Sequence, residues 1–417
     1  MGTRAADDRP HILMMTHRLP HPPDRGDRIR TWHTLERLSE RFDVSLACVA
    51  DEPVKVESWE AIYGKVRRLA IEPAPAARTP RAVGRALRSG RSITEHAFYV
   101  PTLHRTLRQW SEDHRFDAAL AVCSSMAPYL ADLPIERKVV DLIDVDSAKW
   151  AAYADRSKGP RRWMYRREAR RLASYERGLS RAHETVVVCD REAEELRRLN
   201  PGARATVARN GVDLPPRRLD LGDSHDGPPV AVFTGVLDYA PNVEGLRWFV
   251  EHVWPAVRGA LPEARFDIVG RNAGQAVRRL AATPGVRLVG AVPSVRPYLE
   301  RARLAVAPIH VSRGVQNKAL EAMASMTPII ATPAVNRGVA IGGRSPAVVV
   351  DDRRRWIEST IELMRSADLA KAFGLAGRRF VARHYDWASV LEPLMALLSP
   401  PAQSSLEVPP TAVRRAA

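Results

Sequence analysis

Cysteine is scarce in this sequence, and long apolar segments are missing. Only three of the 417 residues are cysteines, Cys48, Cys123 and Cys189, and each lies in or at the end of a short apolar run. They form no disulfide framework or metal-ligand spacing, so we expect buried, reduced thiols and no metal. No apolar run approaches the roughly 20 residues that span a bilayer, which excludes a transmembrane helix. The polar residues 1–10 lack the pattern of a secretory signal, so we expect a cytoplasmic protein.

Acidic residues are too few to balance the basic ones. The chain has 64 Lys and Arg residues against 48 Asp and Glu residues, a net charge of +16, which favours an anionic partner. The densest basic stretch covers residues 156–181, where Trp163, Met164, Tyr165 and Leu172 recur at roughly helical spacing. Such a helix can lie on an anionic membrane as a peripheral contact. It can equally be a solvated helix that packs its apolar stripe on its own domain, and the sequence leaves both interpretations open.

Short apolar runs alternate with amphipathic helical runs along the first half of the chain. We predict a helix near 28–41 and strands at residues 11–17, 43–50, 116–123, 138–144 and 184–189. Buried strands that alternate with helices indicate a parallel sheet with helices on both faces. The stretch 213–228 is rich in proline and polar residues and has no periodicity, so we interpret it as a linker.

The same alternation restarts after the linker. We predict a long helix at 242–260, helices from 353 to about 398, and strands at 229–235, 264–270, 286–292, 303–309, 327–332 and 347–352. The fold class is therefore α/β, with two doubly wound, Rossmann-like domains that face each other across a cleft. Ligands of such sheets bind outside the carboxyl ends of the strands, so the cleft is the expected site.

The domain boundaries follow from this pattern. We expect residues 11–212 to form the first Rossmann-like domain and residues 229–380 to form the second. Residues 381–399 are predicted to be a helix that packs back toward the first domain. The ends of the chain, residues 1–10 and 400–417, are predicted to be flexible and disordered, respectively.

The most informative segment is residues 313–332, in which a glycine turn leads into a short helix and then a strand. Lys318 lies at the start of this helix, and Glu321 lies about one turn further on. Free backbone amides and a lysine at a helix N-terminus suit a diphosphate, while a carboxylate one turn away can accept hydrogen bonds from ribose hydroxyls. The segment therefore predicts a site for a sugar nucleotide.

The loop 18–28, which joins the first strand to the first helix, is a second candidate contact. Gly26 permits close backbone approach, and the following helix N-terminus would direct partial positive charge into the cleft. Arg25 and Arg28 flank this glycine and could supply phosphate contacts. A proline-rich turn that ends at glycine is also a common loop without a ligand.

Asp144 and Asp146 lie at the end of a predicted strand, just before a helix. Reacting groups in such sheets lie at strand ends that face the cleft. Asp and Ser are also the usual residues of helix caps and turns, and Ser147 could cap this helix. A purely structural role for these residues is therefore the alternative.

The second domain opens with a strand and a turn at residues 234–249. Gly235 would let the backbone approach a ligand, and Pro241 suits a first helical position. We expect Asn242 to lie in an exposed first turn. Further along, Val292 belongs to a Gly-Ala-Val-Pro turn at a strand end, residues 290–293.

Taken together, these segments resemble the family 4 retaining glycosyltransferases of the GT-B architecture, from residue 11 to about residue 398. The most specific segments are RGVQNKALEAMA, TGVLDYAPNVEGLRWF and PHPPDRGDRIRTW. They resemble the sugar transferases that accompany bacterial exopolysaccharide and exosortase systems. The resemblance implies a nucleotide-sugar donor, a glycan or lipid-linked acceptor and retention at the anomeric carbon. It implies that residues 11–212 are the acceptor-side domain and residues 229–380 the donor-binding domain. It also implies no cofactor, no metal and no nucleic acid partner.

The resemblance also implies roles for individual residues. It assigns catalysis to Lys318, which would stabilise the leaving diphosphate, and to Asp144, near the transferred sugar. Glu321 would bind the ribose. The remaining implied donor-binding residues are Asn317, Gln316, Gly314, Val315, Arg313, Gly26, Arg25, Gly235, Asn242, Arg271 and Val292.

The sequence departs from the family pattern at two places. Many relatives carry an arginine and a lysine after the first strand of the donor domain, and their absence here leaves the diphosphate to Lys318 and Arg271. The first of the two family glutamates falls at Arg313, which indicates a different or acidic donor sugar, a donor held mainly by phosphate, or lost activity.

Three other functions explain parts of the sequence. A sugar-nucleotide epimerase of the same architecture would use the same donor site. A catalytically inactive sugar-nucleotide-binding protein would account for Arg313. An electrostatic nucleic-acid binder would account for the net charge of +16 but would leave Glu321 unused.

Overall fold

The computed structural model describes residues 9–74, 80–215, 227–312 and 314–400. Most of the predicted linker, most of the predicted termini and Arg313 lie outside these residues.

The first half of the chain forms a seven-stranded sheet in the order β3-β2-β1-β4-β5-β6-β7, and all neighbouring strands are parallel. Its strands are β1 (His11–Thr16), β2 (Asp43–Ala50), β3 (Arg68–Pro73), β4 (Ala118–Val122), β5 (Arg137–Ile143), β6 (Glu184–Val187) and β7 (Ala205–Val207). The connecting helices are α1 (Gly26–Arg41), α2 (Val56–Tyr63), α3 (Pro80–Ser89), α4 (Ile93–Ala97), α5 (Pro101–Asp113), α6 (Asp146–Asp155), α7 (Gly159–Ala182) and α8 (Asp190–Leu199), with a 3-10 helix at Ser124–Leu130.

The second half forms a parallel six-stranded sheet in the order β10-β9-β8-β11-β12-β13. Its strands are β8 (Val230–Thr234), β9 (Arg265–Val269), β10 (Val286–Gly290), β11 (Leu304–Ala307), β12 (Ile329–Ala331) and β13 (Val348–Val349). Its helices are α9 (Ala240–His252), α10 (Trp254–Ala260), α11 (Gln275–Leu280), α12 (Arg296–Arg301), α13 (Asn317–Ala324), α14 (Pro333–Val339), α15 (Arg353–Arg365), α16 (Ala367–His384) and α17 (Trp387–Leu398).

The central strands are buried on both faces, which explains why they appear in the sequence as continuous apolar runs. In β1, Ile12 and Met14 pack into one core of the first domain, while Leu13 and Met15 pack into the other. Successive side chains of a strand point to opposite faces, so a parallel sheet covered by helices needs apolar residues at every position. The predicted pair of doubly wound α/β domains is therefore confirmed.

Helix α17 crosses from the end of the second domain to the first. Its residues Leu391, Leu394 and Met395 are fully buried in the same core as Ile12. The chain thus returns to the domain in which it began, and α17 closes that core.

The long helix predicted at 242–260 is wrong, because the structure contains two helices, α9 and α10. The break falls at Val253, and Pro255 occupies the first turn of α10. Proline lacks a backbone N–H and clashes with the preceding turn, so a helix restarts rather than continues at this position.

Candidate active site

Helix α13 places the half-buried Lys318 beside Asn242 and Phe233 of the second domain. Its Nζ donates to Oδ1 of Asn242 at 2.8 Å and lies 4.1 Å from the centre of the Phe233 ring. Within the described ranges, no carboxylate lies within 4.0 Å of this ammonium group. Burial therefore lowers the pKa of Lys318 to about 7, although the charge of Glu321 opposes the shift.

Gly235 and Asn242 build the wall against which Lys318 lies. Gly235 follows β8 with φ of +154°, and a Cβ there would come within 2.8 Å of the lysine Nζ. A larger residue would therefore displace the ammonium group. Asn242 is only 4% exposed and donates from Nδ2 to the carbonyl of Val236 at 2.8 Å. The expected exposed first turn is wrong for Asn242, since its amide links the Gly235 turn to Lys318.

Glu321 lies one turn after Lys318 and is half-buried. Burial raises the pKa of its carboxyl group, and the ammonium of Lys318 partly opposes this shift. The carboxyl therefore lies about one helical turn from Lys318.

Gly314 brings the donor loop against the first domain. It has φ of +58°, and a Cβ at this position would lie 2.2 Å from Oδ1 of Asp144 and 3.3 Å from its Oδ2. On the other side, the carbonyl of Gly314 lies 2.1 Å from the place of a Cβ on Gly338 in α14. Neither a left-handed backbone nor this close approach suits a residue with a side chain. The loop therefore needs glycine to come this close to the end of β5.

Asp144 is the first-domain group at this contact. Its Oδ1 is buried and has no hydrogen-bond partner among the described residues. Burial, followed by the charge of Glu192, raises the pKa of Asp144 to about 7, while Lys149 opposes the shift. An unpaired carboxyl oxygen at the carboxyl end of a parallel strand is available to a ligand.

Capping does not explain the acidic residues at the start of α6. Asp146 is the first residue of the helix, the N-cap residue is Val145, and no side chain caps it. Ser147 donates instead to the buried Glu176 of α7. The alternative interpretation of this segment as a helix cap is therefore wrong.

A chain of polar contacts connects α13 to the core of the first domain. Oδ1 of Asn317 accepts from Nδ2 of Asn210 at 3.1 Å, and Asn210 accepts from Arg30 at 3.2 Å. Arg30 is 1% exposed and donates from Nε to Asp141 of β5 at 2.8 Å. A Cβ on Gly26 would lie 3.5 Å from Nδ2 of Asn317, an ordinary contact distance. These contacts position the start of α13 against α1.

The arginines of the first loop are already engaged by carboxylates. Arg25 donates to Glu52 at 2.5 Å. Arg28 donates to Asp24 at 3.3 Å and to Asp51 at 3.2 Å. A phosphate would therefore have to compete with these side chains for both guanidinium groups.

Arg271 takes part in the same network from the second domain. Its Nη1 donates to Oδ2 of Asp24 at 2.5 Å, so this ion pair bridges the cleft. Gln316 is the N-cap residue of α13, and Val315 packs against the core beside β12. Val292 lies two residues after β10 and packs against the same core.

Some residues at the cleft are absent from the sequence-based prediction. Arg30 and Asn210 are not predicted, although Asn210 starts the Asn-Gly pair that precedes the linker. Lys149 and Tyr153 of α6 are also missing, because nothing in the sequence shows that α6 borders the second domain. Only the fold brings these distant segments together.

Other candidate sites receive no support. No group of three or more His, Cys, Asp or Glu residues that could hold a metal ion occurs in the part of the chain that the structure describes. Cys48 and Cys189 are buried and Cys123 is half-buried, and all three are free thiols. None of the helices described is both long and apolar enough to cross a membrane.

Comparisons with known proteins agree with this geometry. Residues 228–366 match the family described as Glycosyl transferases group 1. The structure is similar to that of WaaG, a glycosyltransferase involved in lipopolysaccharide biosynthesis, with 13% identity, a TM-score of 0.63 and coverage of 93% of this chain and 98% of that chain. No curated protein matches the sequence.

Two further solved structures cover nearly the whole chain. TarM is 10% identical, with a TM-score of 0.65 and coverage of 94% of this chain and 99% of that chain. Anabaena Alr3699/HepE in complex with UDP and glucose is 12% identical, with a TM-score of 0.64 and coverage of 93% and 99%. At these identities the likeness shows the fold. The chain therefore has the GT-B fold with a glycosyl transferase group 1 domain, and it is an enzyme of the glycosyltransferase class.

Proposed function

We propose that the protein transfers a sugar from a nucleoside diphosphate sugar to a hydroxyl of a glycan or lipid-linked acceptor, with retention at the anomeric carbon. The bond between the anomeric carbon and the diphosphate oxygen breaks, and a bond to the acceptor oxygen forms. The proton of the acceptor hydroxyl passes to the departing phosphate, so the products are the glycoside and the nucleoside diphosphate. This route needs no general base from the protein.

The buried ammonium of Lys318 is the observation that carries this proposal. Lys318 is the second residue of α13, near the positive end of the helix. Among the described residues, its hydrogen-bond partner is the neutral amide of Asn242 and not a carboxylate. A diphosphate that accepts from Lys318 would supply the missing negative charge. As negative charge develops on the leaving group, this fixed cation stabilises it more strongly than it stabilises the bound donor.

Glu321 and the surrounding loops complete the proposed donor site. Glu321 accepts from the ribose hydroxyls, one turn away from the diphosphate. Gln316 and Asn317 lie at the start of α13, where the positive end of the helix suits a diphosphate, and Gly235 lets the diphosphate approach the backbone. The other proposed donor contacts are Gly314, Val315, Arg313, Gly26, Arg25, Asn242, Arg271 and Val292.

Asp144 is proposed to contact the transferred sugar. It lies at the contact between the two domains, with an unpaired oxygen, next to Gly314 of the donor loop. A carboxyl group in this place can bind a sugar hydroxyl and hold the anomeric carbon toward the acceptor. Closure of the cleft around these groups would exclude the water that would otherwise hydrolyse the donor.

The biological setting is proposed from the sequence resemblance. The protein would belong to glycosyltransferase family 4. It would act in the synthesis of a bacterial exopolysaccharide or another cell-surface glycan, on the cytoplasmic side of the membrane. The structures of HepE with UDP and of WaaG, from lipopolysaccharide biosynthesis, support a nucleotide-sugar donor and a glycan product.

A thermal-shift screen against UDP-, GDP-, ADP- and TDP-sugars tests the donor site, with Glu321→Ala as the paired variant. A ligand at 100 times its Kd stabilises a protein by about 2.7 kcal/mol, which gives a clear rise in melting temperature. We expect one nucleotide series to stabilise the wild type and to stabilise the variant much less. Stabilisation of neither protein by any series would contradict the proposal, and tight binding without transfer or hydrolysis would indicate a sugar-nucleotide sensor.

Peripheral membrane contact is proposed for the start of α7. Trp163 is 63% exposed and Met164 is 36% exposed, while Leu172 is buried. The exposed Arg161 and Arg162 precede Trp163, so this end of the helix presents apolar and basic groups together. Sedimentation with anionic vesicles should therefore be reduced in Trp163→Ala, and equal sedimentation of both proteins would contradict the contact.

A further inference from the structure

Three aromatic side chains cluster beside the cleft, outside the hydrophobic cores of the first domain. Trp150 and Tyr153 of α6 have ring centres 6.0 Å apart, and Tyr165 of α7 lies 5.3 Å from Trp150 and 6.1 Å from Tyr153. All three are half-buried, and none belongs to either of the two cores that pack against the first sheet. We call these residues the α6 aromatic cluster.

Polar residues join this cluster to the reaction centre. Lys149 lies 3.5 Å from Asp146, at the start of the same helix. The charge of Asp146, and then that of Asp144, raises the pKa of the Lys149 ammonium, and Tyr153 contributes to the same effect. Lys149 therefore lies near Asp144 and near Tyr153. Residues 146, 149, 150 and 153 lie on one face of α6, because they follow the helical repeat, and Asp144 lies just before this helix.

The second domain borders the cluster as well. Tyr239, in the turn that precedes α9, lies near Tyr153, and burial together with this neighbour raises the pKa of its hydroxyl. Arg156, just after α6, lies 3.3 Å from Glu244 of α9. The cluster thus lies on the wall of the cleft and not on a remote surface.

The composition of this wall suits a saccharide. Sites for small ligands combine aromatic surfaces with a few polar groups that fix the orientation of the ligand. Tyr and Trp offer a rigid apolar face with a polar edge, which matches the apolar face and the hydroxyl rim of a pyranose ring. A lipid tail would use the rings but not the Asp146–Lys149 pair, and a phosphate would use Lys149 but not the rings.

We propose that the α6 aromatic cluster, with Asp146 and Lys149, is the acceptor subsite, and that it binds the ring of an acceptor sugar so that one hydroxyl reaches Asp144. The ring stacks on the aromatic side chains, and the polar pair holds its other hydroxyls. This inference rests on the proposed transferase function and names the acceptor as a saccharide.

Saturation-transfer NMR in the presence of UDP tests the subsite. The ligands are the methyl glycosides of glucose, galactose, N-acetylglucosamine and glucuronic acid. At least one glycoside should bind the wild-type protein. Trp150→Ala and Tyr153→Ala should each weaken that binding at least tenfold, and Trp150→Phe should keep it within about threefold because it retains an aromatic face. Trp59→Ala, which removes an exposed ring 44% accessible on α2, is the control and should change nothing.

UDP binding separates this proposal from the donor site. All four variants should bind UDP within about twofold of the wild type, which also shows that they fold. If UDP binds but no glycoside does, or if the bound glycoside is insensitive to Trp150→Ala, the acceptor subsite is wrong. If a glycoside binds through Trp150 but UDP does not bind, the subsite stands and the nucleotide-sugar donor is wrong.

Discussion

The two sides of the cleft both carry basic residues, but the side chains that pair with these residues differ in charge. On the first-domain side, Arg25 and Arg28 donate to Glu52, Asp24 and Asp51. On the second-domain side, Lys318 is half-buried and, among the described residues, has only the amide of Asn242 as a hydrogen-bond acceptor. Carboxylates pair with both of these arginines and with Arg271 of the second domain, whereas Lys318 has no carboxylate within 4.0 Å among the described residues.

This difference indicates where an anionic ligand gains most. A diphosphate at the first loop must replace carboxylates that already satisfy the arginines, so little free energy is gained by the exchange. At Lys318 the ligand supplies a counter-charge that the folded protein lacks, in a site with little water. The number of arginines in a loop is therefore a poor guide to phosphate binding unless their protein partners are known.

The substitution Lys318→Met should have the largest effect. A charge-assisted hydrogen bond contributes about 1.5–3 kcal/mol, so UDP affinity measured by calorimetry should fall by about 10- to 150-fold. The substitution Arg25→Met should lower UDP affinity by less than about threefold, because Glu52 already binds the Arg25 side chain. Similar losses in both variants would remove the distinction between the two sides of the cleft.

Loss of the Glu321 carboxyl should have the next largest effect. We expect Glu321→Ala to weaken UDP binding by about tenfold, since it removes hydrogen bonds to the ribose. Binding of inorganic pyrophosphate, which has no ribose, should weaken much less, through the lower pKa of Lys318 alone. A parallel loss for both ligands would show that Glu321 acts on the phosphate pocket through Lys318.

The pH dependence of binding should show a smaller effect. The pKa of Lys318 in the free protein is about 7, so the charged fraction falls from about one half at pH 7 to about one tenth at pH 8. Affinity for UDP-glucose should therefore fall about fivefold over this range, because only the charged form pairs with the diphosphate. Asp144, with a pKa of about 7, also loses a proton here and adds to the loss. In Lys318→Met, the remaining pH dependence of UDP-glucose affinity comes from Asp144. If affinity depends on pH as steeply in this variant as in the wild type, Lys318 is not the titrating group.

Removal of the ion pair across the cleft should have the smallest effect. Asp24→Asn frees Arg271 and weakens the hold on Arg28, and half-exposed ion pairs contribute about 0–1 kcal/mol. UDP should bind about two- to threefold more tightly, since a released arginine can turn to the phosphate. The control is Asp368→Asn at an exposed position of α16. An equal change in UDP affinity in both variants would indicate an effect of net charge and not of the Asp24 ion pair.

The sequence alone determined the fold class and helix α13. Apolar runs in alternation with helical ones specify a parallel sheet, because strands buried on both faces need apolar residues at every position. The glycine turn before Asn317, and Lys318 and Glu321 at fixed spacing on one short helix, also follow from local sequence, since a helix fixes the relation between residues three apart. These features depend on neighbours in the chain.

The tertiary structure alone decided which charged groups are free and what faces them. Asn242 was expected to be exposed, yet it is buried as the acceptor for Lys318, 76 residues away. Arg25 and Arg28 were expected to be available, yet carboxylates that follow β2 engage them. Asp144 meets Gly314 only because two separate sheets place their carboxyl edges across one cleft. Charge, burial and hydrogen bonding depend on which distant segments share a site, and no local pattern in the sequence encodes that.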